Sequence, residues 1–352
     1  MGHDVFYIED TGQWPFNPVE GGLGEDCALN VAYLSDMMAA FGLEDRWAYR
    51  FPWQSQWFGL SDAKRQEVID TADVVINVSG TLEKPEKYRA AKHLIYIDSD
   101  PMFTQIKLAK RQDFFRKQID LHDSHFTFGE YEGTKAPETG HNWIPTRQPI
   151  VIDEWRHQEP PREVFTTVMN WTSYNDVIFD GETYGQKDSE FLRFMDLPGR
   201  VGPGSLEIAA NAGKTRSTPV ERLEAHGWRL VDPAEACPDV DSYRRYLQTS
   251  KGEWSVAKNA YVGGDTGWFS CRSACYLAAG RPVVVQDTGF SKVLPVGEGV
   301  LPFTTLEEAV NGIQAVVAEP DRHSKAAVEI CAAYFSGDVV LSKLLETALN
   351  DG

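Results

Sequence analysis

The sequence predicts an α/β protein of two successive units, each a parallel sheet covered by helices. Three observations carry that expectation. The chain has 352 residues, about two domains at roughly 150 residues each. In both halves short apolar runs alternate with stretches of helical period, the pattern of strands joined by crossover helices. Between 137 and 163 stand Pro137, Pro145, Pro149, Pro160 and Pro161, with Trp143 and Trp155; prolines at that density break regular elements and place a boundary near residue 155. Apolar residues make up 42%, aromatic residues 12% and charged residues 24%. That is an ordinary globular composition, able to bury a large core without staples.

The first half opens with a strand at Asp4–Ile8. A loop with Gly12, Pro15, Asn17 and Pro18 leads to Gly21-Gly22-Leu23-Gly24. A helix is expected from about Glu25 to Phe41, with Ala28, Val31, Ala32, Leu34, Met38 and Phe41 at helical spacing and Gly42 as its stop. Glu25 and Asp26 suit its positive end. Further strands are expected at Arg46–Phe51, at Ala72–Val78 (apolar enough to be covered on both faces), at His93–Ile97 and at His125–Phe128. Ligands in open α/β sheets bind beyond the carboxyl ends of strands. The Gly21–Asp26 loop and the Asp98-Ser99-Asp100 turn are therefore this half's candidate site. The glycines do not match G-x-G-x-x-G, so a dinucleotide fingerprint is not supported. For the loop, a tight turn and a close approach to ligand both stay open. For Asp98 and Asp100, so does capping before Pro101.

The second half begins with a strand at Glu163–Met169. A helix follows over Tyr184–Phe194, with Lys187 near its start, and then a strand at Ser205–Ala210. Gly213-Lys214-Thr215 has the look of a phosphate-loop tail. The glycine required five residues before Gly213 is Ile208, however, so the match is rejected and an ordinary loop expected. Helices at Glu221–His226 and Asp241–Thr249 flank a strand at Gly227–Val231. The most informative stretch follows. Ser270 stands as N-cap before a helix at Cys271–Ala279 that Gly280 stops. Arg272 and Ser273 fall in its first turn, where free N–H groups and the helix dipole can hold a phosphate. A cation opposes that dipole; an anionic ligand would account for Arg272, and so would a salt bridge. A buried strand at Val283–Val285 then exits through Gln286–Phe290. There Asp287 and Thr288 can bind hydroxyls and Gly289 permits close backbone approach, although Asp287 can equally cap the next turn. Helices at Thr304–Val317 and Asp338–Leu349 complete the chain.

The balance of 34 Lys and Arg against 52 Asp and Glu gives a net charge of −18. That argues against a sequence-independent grip on nucleic acid and against an anionic membrane surface. It leaves room for one basic pocket taking a small phosphate. Five cysteines, Cys27, Cys237, Cys271, Cys275 and Cys331, cannot all pair, and are expected as reduced thiols of a cytoplasmic protein. Cys271 and Cys275 can share a helix face, but two further zinc ligands are lacking, so both are read as core thiols. No signal peptide and no membrane span are expected.

The string Ala279-Gly280-Arg281-Pro282-Val283-Val284, the segment LPVGEGVLPF at 294–303 and TTLEEAV just beyond it resemble the donor region of the GT-B-fold nucleotide-sugar glycosyltransferases. IDSDP at 97–101, WIPTRQP at 143–149 and FTTVMNW at 165–171 resemble a bacterial branch of these proteins. The likeness covers most of the chain and is weakest over the first 90 or so residues. It implies two Rossmann-like domains facing a cleft: an acceptor domain over 1–155, a nucleotide-sugar donor domain over 156–335, and a helix in 336–352 packing back on the first domain. It implies transfer of a sugar from a nucleoside-diphosphate sugar to an acceptor hydroxyl, with no metal and no cofactor beyond the donor.

Many retaining members carry two glutamates eight positions apart here. The matching positions are Gly267 and Cys275, so the usual carboxylate contact to the donor ribose is absent. Family logic asks for cations on the diphosphate: Arg272, then Lys187, then Lys258, with Ser270, Ser273, Asp287, Thr288 and Gly289 completing the donor site. An inverting enzyme needs a base from the first domain, with Asp100 preferred, then Asp26, Glu25, His122 and His125; a retaining one needs none. Asp98-Ser99-Asp100 matches the Asp-x-Asp of metal-dependent relatives of another fold, which this fold does not require. The rivals are a non-catalytic nucleotide- or sugar-binding protein that kept the fold, which the missing glutamates favour, a nucleotide-sugar epimerase acting without acceptor, and a DNA-modifying glycosyltransferase, against which the charge counts.

Overall fold

The computed structural model describes residues 2–17, 19, 21–110, 112–156, 160–211, 213 and 215–350. Pro18 of the first loop, Lys214 of the rejected phosphate-loop tail, 157–159 of the proline-rich crossing and 351–352 lie outside them.

The first half comprises β1 (Tyr7–Glu9), β2 (Phe16–Asn17), β3 (Gly22–Leu23), α1 (Ala28–Ala40), β4 (Trp47–Phe51), β5 (Gln56–Gly59), α2 (Asp62–Thr71), β6 (Val74–Val78), β7 (His93–Asp98), α3 (Phe103–Ala109), α4 (Asp113–Asp120), β8 (Ser124–Thr127) and β9 (Trp143–Pro145). The strands form two main sheets, β1-β4-β5 and the all-parallel β6-β7-β8-β9. The glycine-rich loop is a small hairpin: Phe16 pairs with Leu23 and Asn17 with Gly22, and Gly21 takes a left-handed φ of 69° that glycine adopts without strain. α1 starts three residues later than expected, because the Asp26 carboxylate accepts the Ala28 N–H at 3.0 Å and ends the loop there. β6 is not covered on both faces. It lies at the end of its sheet, with Ile76 and Val78 exposed and only Asn77 buried between them.

The second half comprises β10 (Phe165–Asn170), β11 (Val177–Phe179), β12 (Glu182–Tyr184), α5 (Lys187–Phe191), α6 (Leu197–Val201), β13 (Leu206–Asn211), α7 (Val220–Ala225), β14 (Arg229–Val231), α8 (Pro233–Ala236), α9 (Val240–Gln248), β15 (Gly252–Ser255), α10 (Asn259–Gly263), α11 (Cys271–Ala278), β16 (Val283–Gln286), β17 (Val300–Phe303), α12 (Leu306–Ala318), α13 (Pro320–Tyr334) and α14 (Gly337–Asn350). Tyr184 belongs to the β11–β12 hairpin and not to the helix, which begins at Lys187. One parallel sheet, β14-β13-β10-β15-β16-β17, is the frame. Its order reverses between β10 and β15, and a reversal of that kind opens a crevice at the carboxyl ends of the two strands. One face is sealed by Trp254, Phe191, Phe194, Trp228 and Phe303, with Trp254 stacked on Phe303 at 5.7 Å. The other is sealed by Tyr276, Leu277, Val283 and Phe335.

The chain passes between the halves twice, side by side. Ile150 N–H donates to the Phe335 carbonyl at 2.7 Å and Gly337 N–H to the Ile150 carbonyl at 2.9 Å. α14 then lies on the first half, where Leu344 and Ala348 pack with Ile95, Ile97 and Phe126. Among the described residues no helix is long and apolar enough to cross a membrane, and all five cysteines are unpaired.

Candidate active site

The carboxyl ends of β15 and β16 and the start of α11 enclose a pocket lined by Ser255, Trp268, Ser270, Arg272, Ser273 and Gln286 among others. Ser270 occupies the N-cap position, but its side chain makes no capping bond. The first-turn N–H groups are thus left without a side-chain acceptor, the condition under which a helix start takes an anion. Ser273 is buried beneath it.

Arg272 turns out to have a partner. Its Nη2 lies 2.6 Å and its Nε 2.7 Å from Oε1 of Glu253, a fully buried residue of β15, while Nη1 donates to the Val168 carbonyl at 2.7 Å. The salt-bridge explanation of this cation is therefore correct as far as its charge goes. The sequence carries no signal for Glu253: a glutamate reads as surface, and its presence hides the strand it stands in. Its other oxygen, Oε2, is buried with no hydrogen-bond partner.

Lys187 opens α5 and is half-buried. Among the described residues its ammonium has no hydrogen bond and no ion pair. Burial first, then Arg272, then Lys258, push its pKa well below the lysine range, with Glu253 acting the other way. Gln186, immediately before it, is buried with its Nε2 unpartnered. Arg272 and Lys258 thus both disfavour its charged form, and among the described residues no carboxylate is paired with it.

Lys258 is held across the cleft. Its Nζ lies 2.9 Å from Oδ1 of Asp100 and donates to the Tyr174 hydroxyl at 2.6 Å. Tyr174 and Tyr261 also donate to Asp100. Three donors from the second half thus occupy the carboxylate preferred as base. Both oxygens of that carboxylate are thus engaged at the junction of the two halves. Asp98, two residues earlier, accepts from Asp100 N–H, Thr104, Gln105 and Thr127 at 2.7–3.1 Å. Burial raises its pKa against those bonds. The Asp-x-Asp string therefore presents no pair of open carboxylates.

The other candidates are scattered. Glu25 and Asp26 are exposed at the start of α1, with no described hydrogen bond or ion pair to the second half. His122 is buried, hydrogen-bonded to Asn77 at 3.0 Å, and burial lowers its pKa to about 4. His125, lowered likewise by burial, is held by the Ile119 carbonyl at 3.0 Å. Both rings are thus engaged by groups of the first half. Asp287 caps its own turn, accepting from Gly289 N–H at 2.9 Å and from Ser291. Thr288 donates to the Trp268 carbonyl at 2.6 Å. Gly289, with φ 97°, makes room for Asp265, whose Oδ1 would lie 2.4 Å from a Cβ there. These three shape the loop and do not line the pocket.

No protein-family model and no curated protein sequence matches the chain. Solved structures do. The Anabaena protein HepE, solved in complex with UDP and glucose, matches with a TM-score of 0.55 and 12% identity over 97% of this chain and 98% of that one. This is the GT-B fold. AviGT4, a glycosyltransferase involved in avilamycin A biosynthesis, matches with a TM-score of 0.50 and 14% identity over 98% and 96% of the two chains. The chain spans 60% of the length of TarM, at 10% identity and a TM-score of 0.47.

The GT-B frame gives meaning to Gly267, which stands where the first family glutamate is expected. It takes φ 76°, and a Cβ there would meet the Tyr131 nitrogen at 2.4 Å. The first half's loop approaches so closely that no side chain fits, and Tyr131 N–H donates to the Thr266 carbonyl at 3.2 Å. The second position, Cys275, is buried inside α11.

Proposed function

We propose that this protein transfers a sugar from a nucleoside-diphosphate sugar to an acceptor hydroxyl. The diphosphate lies between Lys187, Arg272 and the first turn of α11. The observation that carries this reading is Lys187: among the described residues this half-buried amine has no hydrogen-bond or ion-pair partner, and its charged form, disfavoured by burial, Arg272 and Lys258, would be favoured by an arriving anion. Departure of the nucleoside diphosphate concentrates charge on its phosphates, and preorganised cations and N–H groups there lower the barrier. The frame supports the reading, since the Anabaena neighbour was solved with UDP-glucose; UDP is therefore the first nucleotide to test. Asp100 serves as an interdomain latch in this mechanism, and no metal takes part, because Asp98 is turned inward onto four donors. The five free thiols fit a cytoplasmic setting.

The test is thermal stabilisation by UDP, GDP, TDP, CDP and ADP, each alone. A ligand at about 100 times its Kd adds roughly 2.7 kcal/mol, a rise of several degrees for a chain of this size. One diphosphate standing out in the wild type and silent in Lys187→Ala is expected. No shift with any of them refutes the donor site. A second reading, a binding protein without turnover, is favoured by Gly267 and Cys275, which leave the ribose without carboxylates. It predicts the shift but no acceptor-dependent release of UDP from UDP-sugars.

A further inference from the structure

α1 carries apolar side chains on every side, interrupted by Asn30, Ser35 and Asp36. Its thirteen residues, ALNVAYLSDMMAA, carry one charge, Asp36, yet none of them is buried. Val31, Leu34 and Met38 lean on Trp47, Tyr49 and Phe51. Leu29 and Tyr33, one turn apart on another face, are each 50% exposed. A helix apolar on all sides is ordinarily enclosed on all sides. The β2–β3 hairpin extends the same surface. Phe16 and Leu23 sit opposite each other at 57% and 72% exposure, and the Phe16 carbonyl accepts from the Asn30 side chain of α1 at 3.1 Å. Contiguous exposed apolar side chains mark interaction sites.

The charge around them is one-sided. From residue 9 to residue 45 the sequence holds no Lys, Arg or His. Glu25, Asp26 and Asp36 are exposed within the patch, and Glu44 and Asp45 beyond its end. None of these five makes an ion pair among the described residues. A second copy of the same face would set unpaired carboxylates against one another, and an anionic lipid surface would repel them.

We propose that the β2–β3 hairpin and the outer face of α1 form a docking surface for a basic, amphipathic segment of a partner polypeptide. Its apolar side covers Leu23, Leu29 and Tyr33, and its cations meet Glu25, Asp26 and Asp36. None of these residues lines the donor pocket, so the proposal does not rest on the donor reading.

The test uses the full chain and a fluorescent helical peptide of about 18 residues, leucines on one face and lysines on the other. Leu23→Ser with Leu29→Ser leaves net charge untouched and is expected to weaken binding by at least tenfold, on the order of one buried leucine. Glu25→Lys with Asp36→Lys is expected to weaken it similarly. Circular dichroism melts confirm that both variants fold. Equal affinity for wild type and the serine variant would reduce the effect to the general pull of an acidic protein and overturn the proposal, as would no binding at all. A dimer that the serine variant loses would assign the surface to a second copy. Sedimentation of wild type, but not the serine variant, with phosphatidylcholine vesicles would assign it to lipid. Either of those outcomes overturns the proposal too.

Discussion

Lys187 is destabilising as it stands. Its folded-state pKa lies well below the ordinary value of 10.5, so the unfolded chain binds that proton more tightly than the folded one. Lys187→Met is therefore expected to raise the melting temperature while abolishing diphosphate binding. The gain should be largest below the depressed pKa and shrink as pH climbs toward 10.5. Melts of both proteins at a series of pH values up to 10.5 test the sign; a variant less stable than wild type would show that Lys187 is paired. Cys271 gives a second residue-scale expectation. The hydrogen bond with Cys275, then the nearby Arg272 charge, outweigh burial and bring its thiol down to about 7. Since the thiolate is the nucleophile, Cys271 should be the first of the five cysteines alkylated by iodoacetamide, with a rate rising through about pH 7. Peptide mapping after brief labelling checks this. None of this local chemistry was visible in the sequence beyond the residue types, because Arg272 shows its position in a helix turn but not Glu253 behind it.

Elements were legible in proportion to how plainly their burial is written. The runs HLIYI, FTTVM and VVV announce β7, β10 and β16 to within a residue or two. The Thr304–Val317 run likewise announces α12, whose start is fixed by a Thr305–Glu308 capping box. β15 was invisible because Glu253 breaks its apolar run, although it stands at the centre of the sheet. β2 and β3, two residues each, are too short to show any period. The polar centre of β15 carries its own prediction. Glu253→Ala leaves Arg272 charged and buried without a counterion, and removing one member of a buried pair costs about 3–5 kcal/mol. Chemical denaturation should show a loss of that order, with Glu253→Gln recovering part of it through the amide oxygen. A loss below about 1 kcal/mol, the level of a surface pair, would mean that water reaches the guanidinium.

At the scale of the molecule, the two halves are clasped by Asp100, Tyr174, Lys258 and Tyr261 and by the close passage of Gly267 past Tyr131. These contacts join residues 74 to 161 positions apart. They depend on how one domain faces the other, which no local pattern encodes. That is why two Rossmann-like halves could be read from the sequence while the partners of Asp100 could not. Asp100→Ala is expected to release Lys258 and loosen the cleft. Small-angle scattering should show a larger radius of gyration for the unliganded variant, and diphosphate should bind it at least as tightly as wild type. An unchanged radius would place closure elsewhere.

The return of α14 to the first half also bears on how the protein is made. Ile95, Ile97 and Phe126 emerge from the ribosome early, yet the helix that covers them spans residues 337–350. At about 5–20 residues per second, some ten seconds or more separate the synthesis of that apolar face from the synthesis of its lid. The second half, whose sheet and helices are contiguous in the chain, can close first even though it is made last. Order of synthesis and order of completion thus run opposite ways. A chain truncated before residue 337 and released from the ribosome should present a finished second half and an uncovered first one, the form on which a chaperone would act.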